Sequence, residues 1–180
     1  MIGLVLTIAA AVFAMTVFKR STPAAPGTTP ALAPAIEPSV YLEPKHTVDE
    51  FKIKFFRAIK NVDIGIFEPK VLYSVATLET GHGTGGVFRK TRNLYSITRG
   101  SSWKEKTYRT TGGLEFRIYG KWEDSIKDFV RLMQIGLYRK AYESMSRKDV
   151  PGFFAELKAA GYDATSPTYA RDLLRTYREV

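Results

Sequence analysis

The sequence predicts a mainly helical α+β domain with one small β-hairpin, preceded by an apolar segment and a proline-rich linker. Three observations carry this. Apolar residues recur at helical spacing over most of the chain after residue 46. One stretch, Lys106 to Tyr119, alternates like a pair of strands around a Gly-Gly step. Ahead of both, the composition changes twice, from almost wholly apolar to rich in Pro, Ala and Thr. The boundaries read as 1–20 for a transmembrane anchor, 21–45 for the linker and 46–180 for the folded domain. The last is long enough for one domain with one core.

Residues Ile2 to Phe18 are apolar except for Gly3, Thr7 and Thr16. At about 1.5 Å per residue the run just spans a bilayer core of about 30 Å. No basic stretch precedes it, and Ala14-Met15-Thr16 is a poor cleavage site, so an uncleaved anchor is favoured over a removed signal. Lys19 and Arg20 follow at once and favour the cytoplasmic side for the chain after them. Six of the nine prolines then fall between Ser21 and Pro44, with Ala and Thr in most of the gaps. Such a segment reads as a semi-rigid spacer reaching up to about 3.1 Å per residue.

The domain opens with a capping box, Thr47 and Glu50, ahead of Phe51, Phe55, Ala58, Ile59 and Val62 at helical spacing. A second helix starts at Glu68-Pro69, where proline suits the first turn, and runs to about Thr80, with Gly81 as its stop. Gly81-His82-Gly83-Thr84-Gly85-Gly86 and the residues to about Arg92 read as a connector. A dinucleotide fingerprint needs a preceding strand, which is missing here, and no Lys-Ser or Lys-Thr pair directly follows the last glycine to complete a phosphate loop. Thr107 to Thr111 and Leu114 to Tyr119 are the expected hairpin arms, joined by a two-residue turn, Gly112-Gly113. Further helices are expected at about 122–135, 138–147, 150–160 and 167–178.

The chain has no cysteine, which excludes disulfides and thiolate metal sites, and only two histidines, His46 and His82, which argues against a dedicated zinc site. A net charge of +9 favours polyanions, among which nucleic acid, anionic lipid and a bacterial wall all qualify.

One carboxylate stands out. In the second helix Leu72, Val75, Ala76 and Glu79 fall at i, i+3, i+4 and i+7, so Glu79 shares a face with three apolar residues. It also sits in the last turn, where the helix dipole is negative. Burial and dipole both disfavour ionisation and push its carboxyl upward. A carboxyl that keeps its proton near neutral pH is what general-acid cleavage of a glycosidic bond needs.

Around this residue the sequence resembles a known family. Ala76-Thr77-Leu78-Glu79-Thr80-Gly81-His82-Gly83 resembles the A-x-x-E-[ST]-G-x-G signature of lysozyme-like wall hydrolases. Asn93-Leu94-Tyr95-Ser96-Ile97 resembles the N-L-[FY]-G-I element that follows it. Phe116-Arg117-x-Tyr119, then Trp122-Glu123-Asp124-Ser125-Ile126-x-Asp128-Phe129, resembles F-R-x-Y…E-x-S-I-x-D-[YF] of bacterial endo-β-N-acetylglucosaminidases, and Gly161 to Ala170 resembles that family's G-Y-A-T-D-P-x-Y-A ending. The four elements stand in family order over about 47–178.

The resemblance implies a lysozyme-like domain, a helical lobe facing a small hairpin lobe, that cleaves peptidoglycan glycan strands at the N-acetylglucosaminyl β-1,4 bond. Metal, cofactor and nucleic acid play no part in that chemistry. Glu79 is then the proton donor, Tyr119 the tyrosine supporting the sugar or the attacking water, and His82, Asn93 and Tyr95 line the groove. Three departures matter: His82 replaces a usual Trp, Ser96 a usual Gly, and Gly112-Gly113 follows the paired threonines where the family carries a second acid. Glu115 is the favoured replacement, with Glu105 the other candidate. A lytic transglycosylase using Glu79 alone and a non-catalytic wall-binding module are the rival readings. With residues 2–18 in a lipid membrane, the expected place is the bacterial inner membrane facing the wall or the internal membrane of a phage virion. Lys19 and Arg20 run against the first of these.

Overall fold

The structure, a computed structural model, describes residues 42–163 and 165–180. The anchor read at 2–18 and most of the linker read at 21–45 lie outside the described residues. Among the described residues no helix is long and apolar enough to cross a membrane. The chain order is α1 (Val48–Ile59), α2 (Pro69–Thr80), α3 (Gly86–Thr91), β1 (Thr107–Arg109), β2 (Glu115–Arg117), α4 (Trp122–Met133), a 3-10 turn (Gly136–Tyr138), α5 (Arg139–Ser146), α6 (Val150–Ala159) and α7 (Tyr169–Glu179). It is the expected α+β architecture, mostly helical with a two-stranded antiparallel sheet.

α1 begins where its capping box predicts. Thr47 Oγ1 accepts from the Glu50 amide at 3.2 Å, and Glu50 Oε2 accepts from the Thr47 amide at 2.8 Å. Phe51, Phe55, Ala58 and Ile59 face inward, where Phe51 meets Tyr73, Phe88 and Trp122. Burying one such phenylalanine contributes about 1.5–3 kcal/mol. α2 is the central helix. Every residue from Val71 to Thr77 is buried, because α1 and α7 both pack on it. Its expected apolar face, Leu72, Val75 and Ala76, is wholly inaccessible to water.

Glu43, ahead of the expected domain start at 46, is fastened to the fold. The Glu43 amide donates to the Arg89 carbonyl, and its buried carboxylate pairs with Lys54 and with Arg92 at 3.0 Å. Burial alone would raise this carboxyl; the bonds from Lys54 and Arg92 outweigh it and hold the group below its ordinary range.

Two local expectations need correction. The Gly-rich connector contains α3, which starts at Gly86 and ends at Arg92 in the left-handed region. Its apolar pattern is too short to read, yet Phe88 and Thr91 are enough to bury one side. The hairpin turn is longer than the two residues expected. Thr107 pairs with Arg117 and Arg109 with Glu115, and the Thr110 amide donates to the Leu114 carbonyl. Thr111, Gly112 and Gly113 therefore form a three-residue loop, with the Gly113 amide bonded to Thr110 and Gly113 at φ 84°. That geometry ends a type I turn with a left-handed residue and keeps the strand twist.

Candidate active site

Glu79 leaves the core at the last turn of α2. Gly81 takes φ 55°, a conformation glycine adopts without penalty, and the chain turns sharply away. Thr80 ties that turn down: its hydroxyl donates to Ala76 and accepts from Gly83, while its carbonyl accepts from Gly85. The acid thus stands on the most buried helix, beside a loop whose backbone is held, and is itself only partly buried.

Its partners come from distant parts of the chain. The Tyr169 hydroxyl, on the first turn of α7, donates to Glu79 Oε1 at 2.6 Å. The Ser96 side chain makes a second hydrogen bond. Ser96 sits at φ 50°, which explains the glycine usual at this position and shows what the serine adds. Burial, the leading cause, pushes the Glu79 carboxyl up to about 7; the bonds from Tyr169 and Ser96 pull the other way, and the Asp163 carboxylate adds to the rise. Tyr138 and Tyr162 also feel the charge of Glu79, and burial raises both phenols well above their ordinary value. Burial does the same to Tyr169. These phenols stay un-ionised around one titrating carboxyl, with Tyr169 donating to it and Tyr162 donating to the Tyr95 carbonyl.

Tyr162, Tyr169 and Asp163 come from the Gly161-to-Ala170 segment that the motif reading singled out without giving it a role in the site. The contact between Glu79 and Tyr169 joins residues 90 apart in sequence, and no periodicity reports it. Ser96 did leave a sequence signal, as the departure from glycine.

The other expected site residues fall into two groups. His82 follows the helix stop directly, at φ 55°, and is partly exposed; burial pulls its imidazole down, toward the neutral form. It remains available to a ligand. Tyr119, Asn93 and Tyr95 are buried. The Tyr119 hydroxyl donates to Asp128 Oδ2 at 2.7 Å, and the same oxygen binds Arg117 at 2.6 Å. Asn93 spends its side chain on backbone, donating to the Ile97 and Arg117 carbonyls and accepting from the Tyr95 and Ile97 amides. Its contribution is to gather the 93–97 loop and join it to β2. That loop turns Tyr95 inward, where its ring stacks on Phe129 at 4.1 Å with no exposed surface. Asn93 and Tyr95 thus face inward and build the wall that carries Ser96.

The two candidates for a second acid do not join Glu79 in this network. Glu115 pairs with Arg99 at 2.9 Å across the hairpin lobe, and Glu105 is exposed in the loop before β1. The carboxylate whose field reaches Glu79 is Asp163, whose Oδ1 accepts from the Thr165 and Ser166 amides. A separate groove of about 590 Å³, lined by Glu43, His46, Lys54 and Trp122 among others, shares no residue with this cluster.

The family model described as mannosyl-glycoprotein endo-beta-N-acetylglucosaminidase matches residues 57–180. A mutant of a peptidoglycan hydrolase from Sphingomonas sp. A1 is 26% identical with a TM-score of 0.59, over 73% of this chain and 92% of that one. Two more distant structures share the fold. The glycoside hydrolase domain of Salmonella typhimurium FlgJ is 21% identical with a TM-score of 0.53, over 74% of this chain and 88% of its own. The catalytic domain of the Listeria monocytogenes autolysin Auto is 19% identical with a TM-score of 0.52, over 73% and 81%. Among the curated proteins none matches.

Proposed function

The chain belongs to the glucosaminidase family of glycoside hydrolases, and from that premise we propose that it cleaves the glycan strand of peptidoglycan at the N-acetylglucosaminyl β-1,4 bond, with Glu79 as general acid. The observation that carries the reading is the Glu79 carboxyl itself: up to about 7, bonded to the Tyr169 hydroxyl, and partly open beside a pinned loop. Near neutral pH such a group holds a proton to give to a leaving oxygen and accepts one back at the end of the cycle. Tyr169 and Ser96 aim it and stabilise the anion left after transfer. The hydrolase named for the Sphingomonas relative supports peptidoglycan as the substrate class.

The acid works from one side only, and this favours a second reading. With Glu115 engaged by Arg99, the attacking group is a water held on the far face of the sugar, the substrate's own N-acetyl oxygen, or a sugar hydroxyl as in a lytic transglycosylase. The Tyr119–Asp128 pair is the feature best suited to orient a polar group on the hairpin side. Residues 2–18, as a membrane anchor, would hold the enzyme against the wall it cuts, whether from a bacterial inner membrane or from the internal membrane of a phage.

Zymography of the full chain in a gel containing peptidoglycan tests the activity, and mass spectrometry of the products tests the bond. Reducing N-acetylglucosamine ends support hydrolysis as proposed, and anhydro ends support the transglycosylase. Binding without clearing, under any pH between 5 and 8, overturns both.

A further inference from the structure

Trp103 lies outside the Glu79 cluster, and its setting is unusual for a loop residue. It is partly exposed, in the stretch that leads from the Thr98–Phe116 bridge into β1. Three contacts hold it still. Its indole N–H donates to the Lys106 carbonyl at 3.2 Å. The Arg117 guanidinium lies 4.8 Å from the ring centroid, a cation–π contact. The Tyr119 ring meets it edge-on at 5.6 Å. Arg117 is in turn locked by Asp128 and by the Thr98 carbonyl.

From this we propose that Trp103 is a sugar-stacking platform of the glycan groove on the hairpin lobe. The inference deepens the proposed function and rests on it. The indole's single hydrogen-bond donor is already committed, so the ring offers a ligand apolar surface and no polar group. A ligand that uses such a surface has a flat apolar face of its own, as the pyranose ring of a β-1,4-linked N-acetylhexosamine has. The neighbours suit a polar polymer: Ser101, Ser102, Lys104 and Lys106 are all exposed. The ring is placed before the ligand arrives, so stacking costs little conformational entropy. Its position is also tied to the hairpin lobe's buried pair, since Tyr119 touches both Trp103 and Asp128.

The chain contains two tryptophans, and Trp122 is buried against Phe51 and Phe88. Intrinsic fluorescence therefore reports on Trp103 when ligand meets it. Titrating the full chain carrying Glu79→Gln with soluble, peptide-stripped glycan strands should give a saturable change in emission. Adding Trp103→Phe should remove that change. In the otherwise wild-type chain, Trp103→Ala should raise KM for those strands about tenfold with kcat within about twofold, and Trp103→Phe should recover most of the loss. A saturable change that survives Trp103→Phe overturns the proposal. So does a fall in kcat at unchanged KM, or a lowered Tm in both variants with KM unmoved, which marks a purely structural residue. Failure of the wild-type chain to clear a zymogram sinks the proposed function instead, and is read separately from the titration.

Discussion

Replacing Glu79 by Gln should abolish cleavage and, at alkaline pH, make the protein more stable. The Glu79 carboxyl goes from about 4.5 in the unfolded chain to about 7 in the folded one. Between those two values the folded protein holds a proton that the unfolded chain has released. Stability therefore falls as pH climbs through this window and is fully reduced above it. A gap of some two and a half pH units, at about 1.36 kcal/mol each, is worth about 3 kcal/mol. Solvent reaching the partly exposed residue trims this to about 2 kcal/mol. Gln carries no such cost and keeps an oxygen for the Tyr169 hydroxyl. For a domain of this size about 2 kcal/mol corresponds to a Tm higher by about 8 °C. Thermal unfolding followed by circular dichroism at pH 4, 5, 6, 7 and 8 is the assay. The two proteins should melt together at pH 4 and separate steadily above pH 5, while turbidity clearing of wall suspensions falls at least about a hundredfold in the variant. Melting curves that stay parallel across the whole range refute the reasoning, because they mean the side chain ionises as freely in the folded state as outside it.

Tyr169→Phe removes a donor that favours the anion. The basic limb of the pH profile of kcat/KM should move up by about one pH unit, since a hydrogen bond to a charged group is worth about 1.5–3 kcal/mol and a neutral carboxyl keeps part of it. Ser96→Gly should move the same limb in the same direction by less. It should also leave Tm nearly unchanged, because relief at φ 50° offsets the added freedom of glycine. Asp128→Asn leaves the Arg117 guanidinium buried without its carboxylate. Urea unfolding should report a loss of about 3–5 kcal/mol, as for a buried pair broken on one side.

Much of the helical frame is legible in the sequence because its punctuation is local. Thr47 and Glu50 announce α1, Pro69 starts α2, and Gly81 ends it by taking a conformation few other residues tolerate. The partial burial of Glu79 is legible for the same reason: a carboxylate in step with Leu72, Val75 and Ala76 follows them to the edge of the core. Its partners were not readable. Tyr169 reaches Glu79 only because α7 packs on α2, and no spacing along the chain encodes that meeting. The packing of the loop residues is not legible either. Asn93 and Tyr95 look like groove residues in a motif, yet the asparagine's four backbone bonds fold the loop inward and bury the tyrosine. The hairpin turn erred by one residue because a Gly-Gly pair serves a two-residue and a three-residue loop equally well. Thr110's bond to Leu114 decides between them.

The attachment of Glu43 has a mechanical consequence. Its amide and carbonyl are both bonded to Arg89, and its side chain to Lys54 on α1 and to Arg92 at the end of α3. Tension arriving along the polypeptide from the N-terminal side is therefore delivered into two helices at once, as shear across a buried knot of charges, before it can peel the first turn of α1. Glu79 on α2 and Tyr169 on α7 lie downstream of that knot along the chain.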